Sequence, residues 1–259
     1  MSAAVDLQRV ASMAAMDPAE REARIDLAAA YRLAAHFKWT DLIYTHFSAK
    51  IPGTEHILIN PFGLMFDEIT ASSLVKLTLD GEILSDSTGL GINRAGYVIH
   101  SCIHRARPDA HAIMHTHSRA GVAVSAMKCG LLPLSQHAMR VQQRVTYHGY
   151  EGIALELDEQ ERLVRDLGPH APAMILRNHG LLAVGASTHE AFEVMYYLEC
   201  ACQIQVDAMA GGIDNVVAMP AAAADTADAQ FHDATRTKGA RAWTSLLRML
   251  DRLGSDFRD

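Results

Sequence analysis

Apolar residues recur along the chain in two patterns, short continuous runs and helical spacing, which distinguish predicted strands from predicted helices. Short apolar runs bounded by Gly, Pro, Asn or Asp predict strands at residues 42–50, 56–60, 74–79 and 112–114. Two further runs, 174–177 and 181–184, flank Asn178-His179-Gly180 and predict a hairpin. These segments are too short for helices of ordinary length, so we expect them to form one sheet.

Helical spacing and capping residues predict the remaining elements. Asp17-Pro18-Ala19-Glu20 is typical of a helix start, and Ser187-Thr188-His189-Glu190 is a capping box that opens a long helix. The predicted helices begin near 17 and cover 94–105, 119–127, 157–167, 187–209 and 243–253. We expect a loose arm at 1–16, irregular structure at 128–150 and a mobile connector at 210–240.

These elements predict an α/β domain at 17–209, with a mixed, largely antiparallel sheet surrounded by helices, and a connector with a C-terminal helix at 210–259. A chain of 259 residues is long enough for a sizeable core. The net charge of −7, without a basic stripe, argues against a nucleic-acid partner. No apolar run approaches the roughly 20 residues that cross a bilayer, and Met1–Met16 lacks the pattern of a signal peptide.

The four cysteines form no CxxC pair and no disulfide-like framework, which is typical of a cytoplasmic protein.

The most informative motif is His115-Thr116-His117, which follows the predicted strand 112–114. Residues i and i+2 of a strand face the same way, so two imidazoles project together. His179, at the tip of the predicted hairpin, is the best candidate for a third. Imidazole is a common ligand of zinc and other first-row metals. The alternative is three histidines that only satisfy backbone groups.

Several further stretches resemble the class II aldolase/adducin family. They are Ile59-Asn60-Pro61-Phe62-Gly63, Ile69-Thr70-Ala71-Ser72, Arg107-Pro108-Asp109-Ala110, His115-Thr116-His117 and Arg177-Asn178-His179-Gly180. They stand in family order within roughly residues 20 to 210. The resemblance implies a single αβα-layered domain, with the C-terminal segment as a helical arm. It also implies a homotetramer with sites between subunits, and a divalent metal, most often zinc, held by His115, His117 and His179.

Departures from the family pattern place the chain nearer its adducin-like bacterial branch. The sugar-phosphate aldolases carry a Glu acid/base upstream of the first metal histidine, and this chain has Gly96 there. Their phosphate-binding positions, an Asn, a Thr-Gly turn and a Ser pair, correspond here to His46, Phe62-Gly63 and Arg94-Ala95. The resemblance therefore implies a metal site without the usual base or phosphate contacts. His46 and Arg94 become the candidate substrate-binding residues.

Other side chains are candidates to replace the missing groups. His100 lies four residues after Gly96 on a predicted helix, so its imidazole could serve as acid/base or as a fourth ligand; the alternative is a buried histidine bonded to backbone. His137 lies near the place where family aldolases supply a Tyr from the neighbouring subunit. Arg94 could bind a carboxylate in bidentate fashion, or form a surface salt bridge. We expect His104 to interact with the end of its helix.

Three functions fit these residues. The first is a metal-dependent lyase that cleaves or forms a carbon–carbon bond beside a carbonyl, by aldol chemistry or decarboxylation of a small substrate through an enolate that the metal stabilises. The second is an Fe(II) oxygenase with three histidine ligands, and Mn is also compatible with the site. The third is a non-catalytic interaction module of the adducin kind, which the short C-terminal arm without a polybasic tail disfavours.

Overall fold

A computed structural model describes residues 15–152, 157–233 and 239–259. Eight strands form one sheet: β1 His46–Lys50, β2 His56–Ile59, β3 Val75–Thr78, β4 Ile83–Ser85, β5 Ala112–Thr116, β6 Val145–His148, β7 Ala173–Leu176 and β8 Gly180–Gly185. Their order across the sheet is β4-β3-β2-β1-β5-β8-β7-β6. Every neighbouring pair is antiparallel except β6 and β7, so the sheet is mixed and largely antiparallel, as predicted.

Helices cover both faces of this sheet and complete an αβα domain. They are α1 Pro18–His36, α2 Arg94–Ala106, α3 Arg119–Ser125, α4 Leu157–Leu167, α5 Thr188–Ala208, α6 Ala221–Phe231 and α7 Ala240–Arg252. The predicted caps are confirmed. Asp17 accepts hydrogen bonds from the first amides of α1, with Pro18 at its first position, and Ser187 accepts one from the Glu190 amide at the start of α5.

Alternation along the strands divides the buried residues between the two faces. On one face, Phe47, Met114 and Ala183 pack into a large core with residues of α1 and α5. On the other face, Ile113 and Leu182 pack with α2 and α4 in a smaller core. Antiparallel register makes His115 of β5 the direct neighbour of His46 on β1 and of Leu182 on β8. Directly opposed residues share a face, so His46 and His115 both lie on the α2 side.

Four features of the chain organisation differ from the sequence predictions or fall outside the described residues. The segment 128–150 is not wholly irregular, because it ends in β6, which gains its hydrogen bonds from the distant β7. The connector 210–240 contains helix α6, whose Ala224 reaches the main core. Strand β4, whose three residues are all exposed, lacks an apolar alternation and was not predicted. Most of the predicted N-terminal arm lies outside the described residues.

The C-terminal segment packs against the domain. The Trp243 indole donates to Asp26 of α1 at 3.0 Å, and the Ala71 amide donates to the Phe257 carbonyl at 2.9 Å. Trp243, Leu250 and Phe257 are all buried in the main core. Among the described residues, no helix combines the length and apolarity needed to cross a membrane.

Candidate metal centre

Three histidine side chains converge at the end of the central strands. His115 is the fourth residue of the buried strand β5, His117 follows directly after the end of this strand, and His179 occupies the turn between β7 and β8. One ring nitrogen from each lies within 4.8 Å of the other two. The ring centroids of the three pairs are 4.7 to 4.8 Å apart. The rings therefore surround one small volume, as the strand period and the turn predicted.

Hydrogen bonds behind two of the rings determine which nitrogen faces this volume. His115 Nδ1 lies 2.9 Å from the Leu181 carbonyl, and a carbonyl only accepts, so Nδ1 carries the proton. His117 Nδ1 lies 2.9 Å from a carboxylate oxygen of Asp41 and donates to it in the same way. In the neutral form of each ring, Nε2 then presents a lone pair. Partners of this kind are typical of histidines that ligate metals.

The resulting donor set fits a divalent cation. The Nε2 atoms of His115 and His117 lie 2.9 Å apart, and with Nδ1 protonated the neutral form of either ring has no proton to place between them. Burial lowers the pKa of His115 well below its ordinary value of 6.5, and it lowers that of His179 to about 4. The rings of His115 and His179 are therefore neutral near pH 7, as ligation requires. Two facing lone pairs repel each other unless a cation lies between them.

Unusual backbone conformations place the side chains around the triad. The loop before β1 has three non-glycine residues with positive φ: Lys38 at 62°, Leu42 at 50° and Thr45 at 67°. This loop places the Asp41 carboxylate within hydrogen-bond distance of His117 Nδ1. In the turn before β8, Asn178 has a φ of 56°. Such left-handed conformations cost free energy in residues other than glycine, and they cluster at functional sites.

A buried carboxylate anchors the segment that contains the metal histidines. Glu199 of α5 accepts from the Thr116 hydroxyl at 2.6 Å and from the Ser118 hydroxyl at 2.5 Å. Both donors flank His117, so this pair of bonds fixes the backbone where the chain leaves β5. Burial raises the pKa of Glu199 to about 7 against the lowering effect of the two hydroxyls.

The predicted substrate-binding residues lie on the α2 side of the triad. The His46 ring is 5.2 Å from the His115 ring, centroid to centroid, and only 5% of His46 is exposed. Arg94 is exposed at the first turn of α2. A Cβ at Gly96 would lie 2.1 to 2.6 Å from three atoms of the His46 ring. His46 therefore occupies the space that a side chain at position 96 would need.

The predicted acid/base residues are not in direct contact with the triad. His100 is fully buried, and its two nitrogens are bonded to His46 at 2.8 Å and to Ser48 at 2.5 Å. It therefore reaches the site through His46. His137 is exposed, with its ring 6.0 Å from that of Tyr197. Its contribution from a neighbouring subunit stays a prediction. The helix-end role expected for His104 is wrong, because this residue is buried between Ser48 and the Ala110 carbonyl.

The sequence did not reveal three other groups around the site. Asp41 and Glu199 lie 76 and 83 residues from their partners in the chain, and no local motif marks either of them. His148 is buried beside His179; its Nδ1 donates to Asp166 at 2.8 Å, and its Nε2 has no partner among the described residues. Only the fold brings these distant positions together.

Several known proteins are similar to this chain in sequence. A Caulobacter vibrioides protein that carries the provisional name aldolase class 2 protein is 52% identical over 242 residues, which is 93% of each chain. Alpha-adducin of Rattus norvegicus is 44% identical over 93% of this chain, although the match spans only 34% of that protein.

Solved structures extend this relationship to the fold. A crystal structure of an aldolase II superfamily protein from Pseudomonas syringae has a TM-score of 0.92 and 55% identity, and the match covers 96% of this chain and 100% of that chain. L-fuculose 1-phosphate aldolase from Glaciozyma antarctica has a TM-score of 0.81 and 28% identity, with 93% of both chains covered. The family model described as Class II Aldolase and Adducin N-terminal domain matches residues 25–206. The chain therefore belongs to the class II aldolase and adducin family.

Proposed function

We propose that this protein is a divalent-metal-dependent lyase that cleaves or forms a carbon–carbon bond beside the carbonyl of a small substrate. The observation that carries the proposal is the convergence of three imidazole nitrogens within 4.8 Å of one another, two of them with lone pairs directed by Leu181 and Asp41. Three neutral ligands leave the charge of a 2+ ion uncompensated and a coordination position open.

Each group around the triad has a role in this proposal. A bound divalent ion supplies Lewis acidity, which stabilises the negative charge that develops on a substrate carbonyl oxygen. Asp41 orients His117 and increases its basicity through Nδ1. Arg94, exposed at the start of α2, would bind a substrate carboxylate through its guanidinium. The proton would be exchanged by His137 of a neighbouring copy in a homotetramer, since both nitrogens of His100 are engaged within the chain.

Zinc is the metal we propose, since three imidazole ligands with one open coordination position suit it. Fe(II) and Mn bind the same donors less tightly, and Fe(II) with oxygen uptake would support the oxygenase alternative instead. The 44% identity to alpha-adducin, together with Gly96 at the position of the aldolase base, favours a second candidate function, a non-catalytic interaction module.

The test uses untagged protein reconstituted with one equivalent of zinc and incubated with a panel of small hydroxyaldehydes, hydroxyketones and hydroxyacids. We expect carbonyl release from at least one compound, and we expect both chelation and His115→Ala to abolish it. His111→Ala is the matched control, because His111 is an exposed histidine directly before the same strand. Turnover that survives complete metal removal would contradict the proposal. A zinc-loaded protein that turns over no compound would favour the interaction module.

A further inference from the structure

A line of four buried polar side chains crosses from β1 to α2 behind the triad. His46 and Ser48 share one face of β1, and His100 and His104 share one face of α2. His46 Nδ1 lies 2.8 Å from His100 Nε2, and His100 Nδ1 lies 2.5 Å from Ser48 Oγ. Ser48 Oγ also lies 2.7 Å from His104 Nε2, and His104 Nδ1 lies 2.7 Å from the Ala110 carbonyl.

The carbonyl at the end of this line determines the direction of every bond in it. Because the Ala110 carbonyl only accepts, His104 carries its proton on Nδ1 and accepts the Ser48 hydroxyl proton at Nε2. The single Ser48 proton is then used, so Ser48 accepts from His100 Nδ1. The Nε2 atom of His100 must therefore accept the proton of His46 Nδ1.

The direction of these hydrogen bonds leaves the Nε2 atom of His46 unprotonated, with a lone pair that no neighbouring proton engages. This atom has no hydrogen-bond partner among the described residues, and a Cβ at Gly96 would lie 2.4 Å from it. It lies outside the group of three nitrogens that could share one ion. Burial lowers the pKa of His104 to about 3, so the His104 ring stays neutral and its Nε2 keeps the role of acceptor that fixes the direction of these hydrogen bonds.

The geometry points to His46 Nε2 as a fixed hydrogen-bond acceptor that selects substrates with a free hydroxyl beside the carbonyl and disfavours a phosphate oxygen at that position. Ser48, His100 and His104 are positioning residues that set the tautomer of His46. This inference rests on the proposed metal-dependent function. An acceptor without a proton gains nothing from an anionic oxygen, because two lone pairs repel each other.

The tautomer can be measured without any enzymatic activity. Long-range ¹H–¹⁵N correlation spectra of ¹⁵N-histidine-labelled, metal-free protein should show His46 with a protonated Nδ1 and an unprotonated Nε2, with assignment by loss of the signals in His46→Phe. Ser48→Ala should populate the opposite tautomer, because His100 Nδ1 loses its acceptor. The matched control is Ser101→Ala, because Ser101 is buried on α2 and, among the described residues, its hydroxyl bonds only to Val98 of its own helix. A protonated Nε2 in the wild type, or no change in Ser48→Ala, would overturn the inference.

Ligand binding tests the selectivity. We would titrate zinc-loaded protein with glycolohydroxamate and with acetohydroxamate, which differ only in the hydroxyl, and with inorganic phosphate. We expect glycolohydroxamate to bind about threefold to tenfold more tightly, as one hydrogen bond predicts, and phosphate not to compete. His46→Phe should bind both hydroxamates equally.

The outcomes of this titration separate the two proposals. Equal binding of both hydroxamates by the wild type would overturn the selectivity while leaving the metal site intact. Zinc-loaded protein that binds neither hydroxamate would instead contradict the proposed function. A fourth imidazole in the zinc coordination shell that disappears in His46→Phe would also overturn the inference, because His46 Nε2 would then be a ligand and not an acceptor.

Discussion

Asp41 offers a sharp test of the metal centre, because it contacts the site only through His117. Its carboxylate accepts the Nδ1 proton of His117 at 2.9 Å, and 44% of its side chain is exposed. Removing such a partner of a metal-ligating histidine typically costs 10- to 100-fold in metal affinity. Since water can partly replace a half-exposed carboxylate, we expect the lower end of this range for Asp41→Ala, about tenfold or ~1.4 kcal/mol. Asp41→Asn keeps an acceptor and loses only the charge, so we expect about a threefold loss, or ~0.7 kcal/mol.

The assay is competitive zinc titration against a chromophoric chelator at pH 7.5 in 0.15 M salt. Asp80→Asn is the control, because Asp80 forms an exposed ion pair with Arg105 at a turn of the β3–β4 edge. We expect this control to keep wild-type affinity. Unchanged zinc affinity in Asp41→Ala would contradict this prediction, because His117 would then not depend on its carboxylate partner. An equal loss in the Asp80 variant would show that general charge, and not the hydrogen bond, sets the affinity.

Three other predictions follow from the buried groups around the site. Gly96→Glu should not restore an aldolase base, and it should lower the free energy of unfolding by about 1–3 kcal/mol, since its side chain collides with the His46 ring. In denaturant titrations, adding His46→Ala should recover most of this loss, whereas additive losses in the double variant would contradict the collision. Burial raises the pKa of Glu199 from 4.5 to about 7, so the wild type should lose stability as pH rises through 7. Glu199→Gln should therefore gain up to about 3 kcal/mol relative to wild type between pH 4.5 and 8, and a pH-independent difference would refute this. In that Glu199→Gln background, the metal-free protein should lose stability as pH falls below 6.5. The folded state keeps buried histidines such as His104, with its pKa of about 3, neutral, while the histidines of the unfolded chain take up protons. The expected slope is about 1.4 kcal/mol per pH unit for each such histidine, and a flat thermal-unfolding profile from pH 7 to 5 would contradict the prediction.

Local rules were sufficient for the part of the site that lies on adjacent elements. The period of a strand placed His115 and His117 on one side, and the turn chemistry of Asn178-His179-Gly180 placed the third ring. Capping residues located the starts of α1 and α5. In each case, the signal and the structure that it predicts lie within a few residues of each other.

Long-range contacts determined the rest. Strand β6 owes its place to parallel pairing with β7, and α6 has Ala224 as its one fully buried residue, so neither has a strong local pattern. The role of His100 depends on Ser48 and His46, which are more than 50 residues away in sequence. Its helical spacing from Gly96 was informative about position but not about which nitrogens remain free. The backbone conformation that brings Asp41 to His117 is set by three positive φ angles in residues that do not usually adopt them.

We propose that His115, His117 and His179 bind one divalent ion. X-ray absorption spectroscopy at the zinc K edge, on untagged protein with its metal content measured in parallel, tests this binding. We expect about one zinc per chain, a first shell near 2.0 Å and outer-shell scattering from three imidazoles, reduced to two in His179→Ala. Zinc far below one per chain, or a coordination shell without imidazole scattering, would contradict it.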